Sequence, residues 1–155
     1  MKMHTGGLSV TELTKVQKRI HHPPKVAAYP AAIAGYKKWI GRKKVKWFKP
    51  SRTNWSSGGL EVIVNPELGL EWATKGQPPV RHLIKLYFKK EAPKKLMVDA
   101  SLTLMQTALA PKTGTEVSFV DVQRGALWSF SGVKKSLMPL VHGEAAGFAT
   151  AWSHL

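Results

Sequence analysis

The sequence predicts an α+β domain, and three observations carry that reading. Apolar residues recur at helical spacing near the N-terminus and again over residues 94–110. Between these stretches, residues 60–89 alternate with a period of two. Strand-like alternation returns over 116–130, ahead of a C-terminal helical stretch. Helices and strands thus occupy separate runs of chain, which is the α+β pattern. A length of 155 residues fits one structural unit: a basic helical arm over 1–59 attached to an α+β core over 60–155.

The elements follow in order. Residues 8–20 read as a short helix, with Ser9 or Thr11 as cap and Leu13, Val16 and Ile20 along one stripe. The run His21-His22-Pro23-Pro24 ends it, because proline cannot continue a helix. A second helix is expected from near Pro30, with Ile33, Tyr36 and Ile40 on one face and Gly41 as its stop. Residues 42–59 read as an extended connection. Leu60–Val64, Leu68–Trp72 and Val80–Lys89 are then predicted to be three strands of an antiparallel meander. On the third, His82, Ile84, Leu86 and Phe88 share one face; Arg81, Leu83, Lys85 and Tyr87 share the other.

A helix over 95–110 follows, with Leu96, Ala100, Leu104 and Ala108 at its spacing and Met97, Met105 and Leu109 widening the stripe. Glu116–Val122 reads as a strand, Arg124-Gly125 as a turn, and a short strand runs through Phe130. One or two short helices end near Trp152. In the expected core, Val62, Val64, Leu68, Leu70, Trp72, Ile84, Leu86 and Phe88 form one wall. Leu96, Leu104, Met105 and Ala108 form the other.

Composition narrows the function classes. The chain has no cysteine, which excludes a disulfide scaffold, thiolate zinc sites and a thiol nucleophile. No apolar run approaches the length of a membrane span, and residues 1–10 lack the apolar core of a secretory signal. A cytoplasmic location is the expectation. Charge is the strongest signal. Twenty-four Lys and Arg stand against nine Asp and Glu, a formal +15. Residues 1–60 hold 13 bases and a single acid, Glu12; residues 61–155 hold 11 bases and eight acids. Such asymmetry points to a polyanion-binding region joined to a more ordinary core.

The focus of that charge is YKKWIGRKKVKWFKPSRTNW, residues 36–55, with eight bases, five aromatics and no acid. Cations neutralise phosphates, and flat apolar rings accept unstacked bases. The candidate nucleic-acid-binding residues are Lys37, Lys38, Trp39, Arg42, Lys43, Lys44, Lys46, Trp47, Lys49 and Arg52. Six lysines against two arginines favour point-charge contact over bidentate base reading, hence low sequence specificity on DNA or RNA. The alternative is that the tryptophans only anchor the segment while the lysines form a solvated rim.

Motifs for chemistry are sparse. No HxH, HxxxH or HExxH spacing occurs. Ser56-Ser57-Gly58-Gly59 lacks the lysine of a phosphate loop and reads as a turn. Asp121 sits in an apolar strand, where an unpaired carboxylate is costly, and Arg124 is near enough to pair with it. Glu67 and Glu71 lie four apart on one strand face, with Lys85 on the next strand. With these residues, the α-β-β-β-α-β order resembles the core of the restriction-endonuclease-like, or PD-(D/E)XK, superfamily. That resemblance implies a metal-activated water held by an acid on the second strand and an acid-x-lysine on the third. Glu67, Glu71 and Lys85 are its tentative catalytic set, with Mg2+ as cofactor. The position two before Lys85 is Leu83 rather than an acid, so the resemblance implies a nuclease-like scaffold without ordinary cleavage. The competing reading of both glutamates is a salt-bridged, solvated strand face.

The expected function is therefore a non-catalytic nucleic-acid-binding protein that needs no cofactor. A metal-dependent nuclease is one alternative. A basic subunit that docks on an acidic protein partner, in a multi-protein or phage-related assembly, is the other.

Overall fold

The structure, a computed structural model, describes residues 23–154. The helix expected over 8–20, with its caps Ser9 and Thr11, lies outside the described residues. Helix α1 spans Pro23–Ile40 and so begins earlier than the expected start near Pro30. The first turn of a helix has no intrahelical acceptors for its N–H groups, so Pro23 and Pro24 open it without losing a bond. Pro30 lies inside the helix and forfeits one main-chain bond; the alanines around it, at positions 27, 28, 31, 32 and 34, are the strongest helix formers. Gly41, at φ 51°, ends the helix and donates its N–H to the Lys37 carbonyl.

Strands β1 (Lys46–Phe48), β2 (Thr53–Ser57), β3 (Leu60–Val64), β4 (Leu68–Trp72) and β5 (Val80–Tyr87) follow. Helix α2 (Lys95–Leu109), β6 (Thr115–Asp121), β7 (Ala126–Phe130), a 3-10 turn (Lys135–Leu137) and helix α3 (Met138–Trp152) complete the chain. The α+β class is as the sequence predicts. The pairing of the strands departs from the expected meander. The main sheet runs β1-β4-β5-β6-β7, while β2 and β3 form a separate hairpin. Strand β3, expected beside β4, pairs instead with β2, Thr53 facing Val64 and Ser57 facing Leu60. Its place against β4 is taken by β1, with Lys46 opposite Glu71 and Phe48 opposite Gly69.

Turn chemistry accounts for the exchange. Gly58 and Gly59 both sit at positive φ, 57° and 82°, which a two-residue hairpin turn of the primed type demands. That turn gives β3 a local partner, formed from a segment whose lysines and polar residues conceal its strand character. Strands β5 and β6 are parallel, Arg81 beside Thr115 through Tyr87 beside Asp121. A parallel pair needs a crossover, and α2 supplies it.

The sheet is covered on both faces. On one, Leu68, Leu70, Trp72, Ile84, Val120 and Val122 pack with Trp39 and Ile40 of α1, bordered by Leu86. On the other, Val98, Leu102 and Met105 of α2 pack on Val117 and Phe119, together with Val64 of the hairpin. Of the wall expected to face α2, Val62 and Val64 do so through the hairpin, while Leu68, Leu70, Trp72, Ile84 and Leu86 face α1. Leu96 and Phe88, both expected in the core, are exposed. The buried stripe of α2 runs through Val98, Leu102 and Met105; of the expected helix wall Met105 is buried, Leu104 and Ala108 pack partly buried against the same cluster, and Leu96 alone falls off it. Leu96 lies two residues before Val98, about 200° around the helix, and so faces away from the sheet. Helix α1 lies so close to the sheet that a Cβ on Gly35 would fall 2.0 Å from the Val122 carbonyl oxygen.

Candidate nucleic-acid interface

Most of the basic segment is held by its aromatic residues. Lys37 and Lys38 sit in the last turn of α1, where the helix dipole favours cations; Lys38 is exposed and Lys37 half-buried. Trp39, in the same turn, is 3% exposed. Its ring meets Tyr36 edge-on at 5.2 Å and Trp72 at 6.2 Å. Burial pushes the Tyr36 phenol well above its usual range. Trp39 therefore has no face to offer a base, which corrects its assignment as a stacking partner. Trp47 is half-buried against the same core, and its Nε1 is enclosed; it too acts as an anchor. These two sites show why interleaved aromatics are ambiguous in a sequence: an indole is among the largest apolar groups available to fasten a lysine-rich strand.

The cations project away from these anchors. Arg42, Lys43 and Lys44 are exposed in the link after α1; Lys46 is exposed on β1; Lys49 and Arg52 are exposed just beyond it. Lys43 donates its ammonium to the Trp39 carbonyl, closing the C-terminal end of α1. Among the described residues, none of Lys38, Arg42, Lys43, Lys44, Lys46, Lys49 or Arg52 forms an ion pair. The nearest acid across the strands is Glu71, paired with Arg81 at 3.0 Å. Arg81 also lies 5.2 Å above the Phe48 ring. The surface from Lys38 to the end of β1 is thus, among the described residues, a row of cations without acidic partners on an aromatic-backed support.

The tentative catalytic set divides in two. Glu67 pairs with Lys85, and its other oxygen accepts the Leu86 N–H at 2.9 Å. Glu71 belongs to Arg81. Four residues of strand separate the two carboxylates, about 13 Å at the usual rise. Leu83, at the position where the nuclease motif carries its acid, is buried. Among the described residues, no three His, Asp or Glu side chains converge where a metal ion could sit. Asp121, fully buried, is held by the Arg124 guanidinium at 2.8 Å and by the N–H groups of Gln123 and Arg124, the pairing its spacing predicts.

One cluster has no signal in residue spacing. At the end of the sheet where β4 finishes and β5 begins, Trp72, Thr74, Gln77, Pro78, Val80, His82, Glu116 and Leu127 line a cleft of about 330 Å³. His82 lies flat on Trp72, rings 3.6 Å apart and 6° from parallel. Its Nδ1 is 2.9 Å from the Ser118 hydroxyl, which in turn meets Ser129 at 2.8 Å. Burial lowers the His82 pKa to about 4, so the ring is neutral at physiological pH. The Glu116 carboxylate stands 3.8 Å from Nδ1. Trp72 and His82 come from consecutive strands and Glu116 from a third beyond α2; the sequence hint is a histidine on an otherwise apolar strand face. No protein-family model matches this sequence, and none of the curated proteins compared with it is significantly similar.

Proposed function

We propose that this protein binds nucleic acid through the exposed cations between Lys38 and Arg52, without catalysis and with little sequence specificity. The supporting observation is the division of labour within one segment. Trp39 and Trp47 are spent on the core, while seven bases beside them face solvent with no acidic partner among the described residues. Solvating that much like charge on one edge is unfavourable for the protein alone and favourable toward a phosphate backbone, whose counterions are released on contact. Lysine predominates, so phosphates rather than base edges are the main target.

The test is affinity for single- and double-stranded DNA and RNA at two salt concentrations. If about five phosphates are engaged, the log–log salt slope should be near −3.5 on single strands and −4.5 on duplex. Arg42→Ala and Lys44→Ala should each lower the slope by roughly one contact. Absence of binding at low salt rejects the proposal.

A second reading, a subunit of a larger protein assembly, is favoured by a separate observation. Phe148 and Trp152 of α3 are stacked on each other, yet 55% and 67% exposed. Phe148 also lines an apolar groove of about 530 Å³ with Leu60, Val62, Leu104 and Val141. Contiguous apolar surface of this kind marks contact with another macromolecule. Co-purification of a protein partner that survives nuclease treatment would favour this reading; loss of all partners on nuclease treatment would favour the first.

A further inference from the structure

We infer that the cleft between Trp72, His82 and Glu116 accepts a single unstacked guanine base from the strand bound by the neighbouring cations. This rests on the proposed function and names the base recognised beside it. Four observations lead there.

The first is position. Lys46 pairs with Glu71, so the antiparallel register carries the chain before β1 past the end of β4. Val45 packs into the cluster that contains Trp72, and Lys43 is bonded to the backbone of Trp39, whose ring is 6.2 Å from Trp72. The exposed Lys43–Lys44 pair therefore lies by the end of β4, where Trp72 borders the cleft. A phosphate on the lysines would leave its base beside the opening.

The second is size and shape. A volume near 330 Å³ is at the small end of ligand cavities, enough for one base. Pro78, Val80 and Leu127 supply apolar contacts of the sort that hold the faces of an unstacked base, beside the buried Trp72. The Trp72–His82 stack makes this wall rigid.

The third is an acceptor without a partner. Glu116 is half-exposed at the cleft, and among the described residues the one group that could pair with its carboxylate is a protonated His82. That ring is neutral at pH 7 because burial disfavours its cation. Both oxygens of Glu116 are thus available as acceptors, with no described cation satisfying them.

The fourth is the chemistry of the bases. A carboxylate accepts two parallel N–H bonds. Guanine alone presents two adjacent donors, N1–H and the N2 amino group, on its Watson–Crick edge. Adenine and cytosine offer an amino group beside an acceptor nitrogen, and uracil or thymine offers N3–H between two carbonyls. For all three, one carboxylate oxygen would face a lone pair. Reading the Watson–Crick edge requires a base out of the duplex, so the ligand is a single strand, a loop or a flipped nucleotide.

The experiment compares a short oligothymidylate with the same strand carrying one central guanine, in wild type and in Glu116→Gln. Free guanosine is titrated in parallel against the tryptophan fluorescence and the amide signals of Val80–Leu83 and Thr115–Ser118. Wild type should prefer the guanine strand by about tenfold or more, the discrimination a good bidentate base contact gives. Glu116→Gln keeps the shape of the side chain, and should lose that preference while retaining salt-dependent binding and its melting temperature. Equal, salt-dependent affinity for the two strands in wild type overturns the guanine cleft and leaves the proposed function standing. Binding of neither strand at low salt overturns the proposed function; the guanosine titration then decides the cleft, and no response at those amides overturns it too. A guanine preference undiminished in Glu116→Gln overturns the assignment to this site.

Discussion

Replacing Gly35 by alanine is the sharpest test of how α1 sits on the sheet. In an ordinary helix position, Gly→Ala gains about 1 kcal/mol through the backbone entropy glycine loses on folding. Here the added Cβ would lie 2.0 Å from the Val122 carbonyl oxygen, and 2.5 and 2.6 Å from the carbonyl oxygen and carbon of Gln123. All three are backbone atoms of the turn that follows β6, so no side chain can swing aside. The helix would have to lift by more than about 1 Å, loosening the close packing around Trp39 and Ile40. Overpacking of this kind costs up to about 3 kcal/mol; set against the propensity gain of about 1, the net loss is near 2 kcal/mol. For a chain of this size that lowers the melting temperature by roughly 4–8 °C. Gly143→Ala in α3 is the control, because its Cβ would meet nothing within 4 Å; it should gain about 0.5–1 kcal/mol. Denaturant and thermal unfolding of the two variants read the contrast directly. A Gly35→Ala protein as stable as wild type, or more so, would refute the close approach of α1 to the end of β6.

Further expectations concern the core, the buried histidine and the separated glutamates. Leu70→Ala, at a fully buried position in the α1-facing cluster, should cost roughly 2–5 kcal/mol by denaturant unfolding; a silent substitution would misplace the core. His82 titrates near pH 4 when folded against 6.5 ordinarily, so between these values the unfolded chain binds more protons and stability rises with pH. The His82 contribution is intact above about pH 6.5, and acidification toward pH 4 should cost up to about 3 kcal/mol, less whatever the Glu116 carboxylate 3.8 Å away returns. His82→Phe should flatten stability between pH 4 and 6.5, and an unchanged slope would assign it elsewhere. With magnesium or manganese, no cleavage of single- or double-stranded substrates is expected, since Glu67 and Glu71 each hold their own cation; metal-dependent cleavage abolished by Glu67→Ala would contradict this.

The two faces of β5 show where sequence reading succeeds and where it stops. Alternation places His82, Ile84 and Leu86 on one side and Arg81, Leu83 and Lys85 on the other, and the register with β4 and β6 agrees. Alternation does not say which helix covers which side. Both helices carry apolar stripes, and a parallel β5–β6 pair needs cover on both faces. The site was half legible. The run of cations was plain from composition, because charge needs no partner to be counted. The role of Trp39 and Trp47 was not, because a base-stacking indole and an anchoring indole are the same residue in a string.

What the sequence by itself determined is local: the α+β class, the period of each long element, the glycine stop at Gly41, the Asp121–Arg124 pair three residues apart, and the concentration of positive charge before residue 60. Each depends on residues within a few positions of one another, where backbone geometry fixes the spacing. Only the tertiary structure decided the exchange of β1 for β3 beside β4, the burial of Trp39, the separation of Glu71 from the Glu67–Lys85 pair, and the meeting of Trp72, His82 and Glu116 around one cleft. Those are contacts between segments tens of residues apart. They are selected by competition among strands for partners and among apolar faces for cover, and that competition is resolved only when the whole chain packs at once.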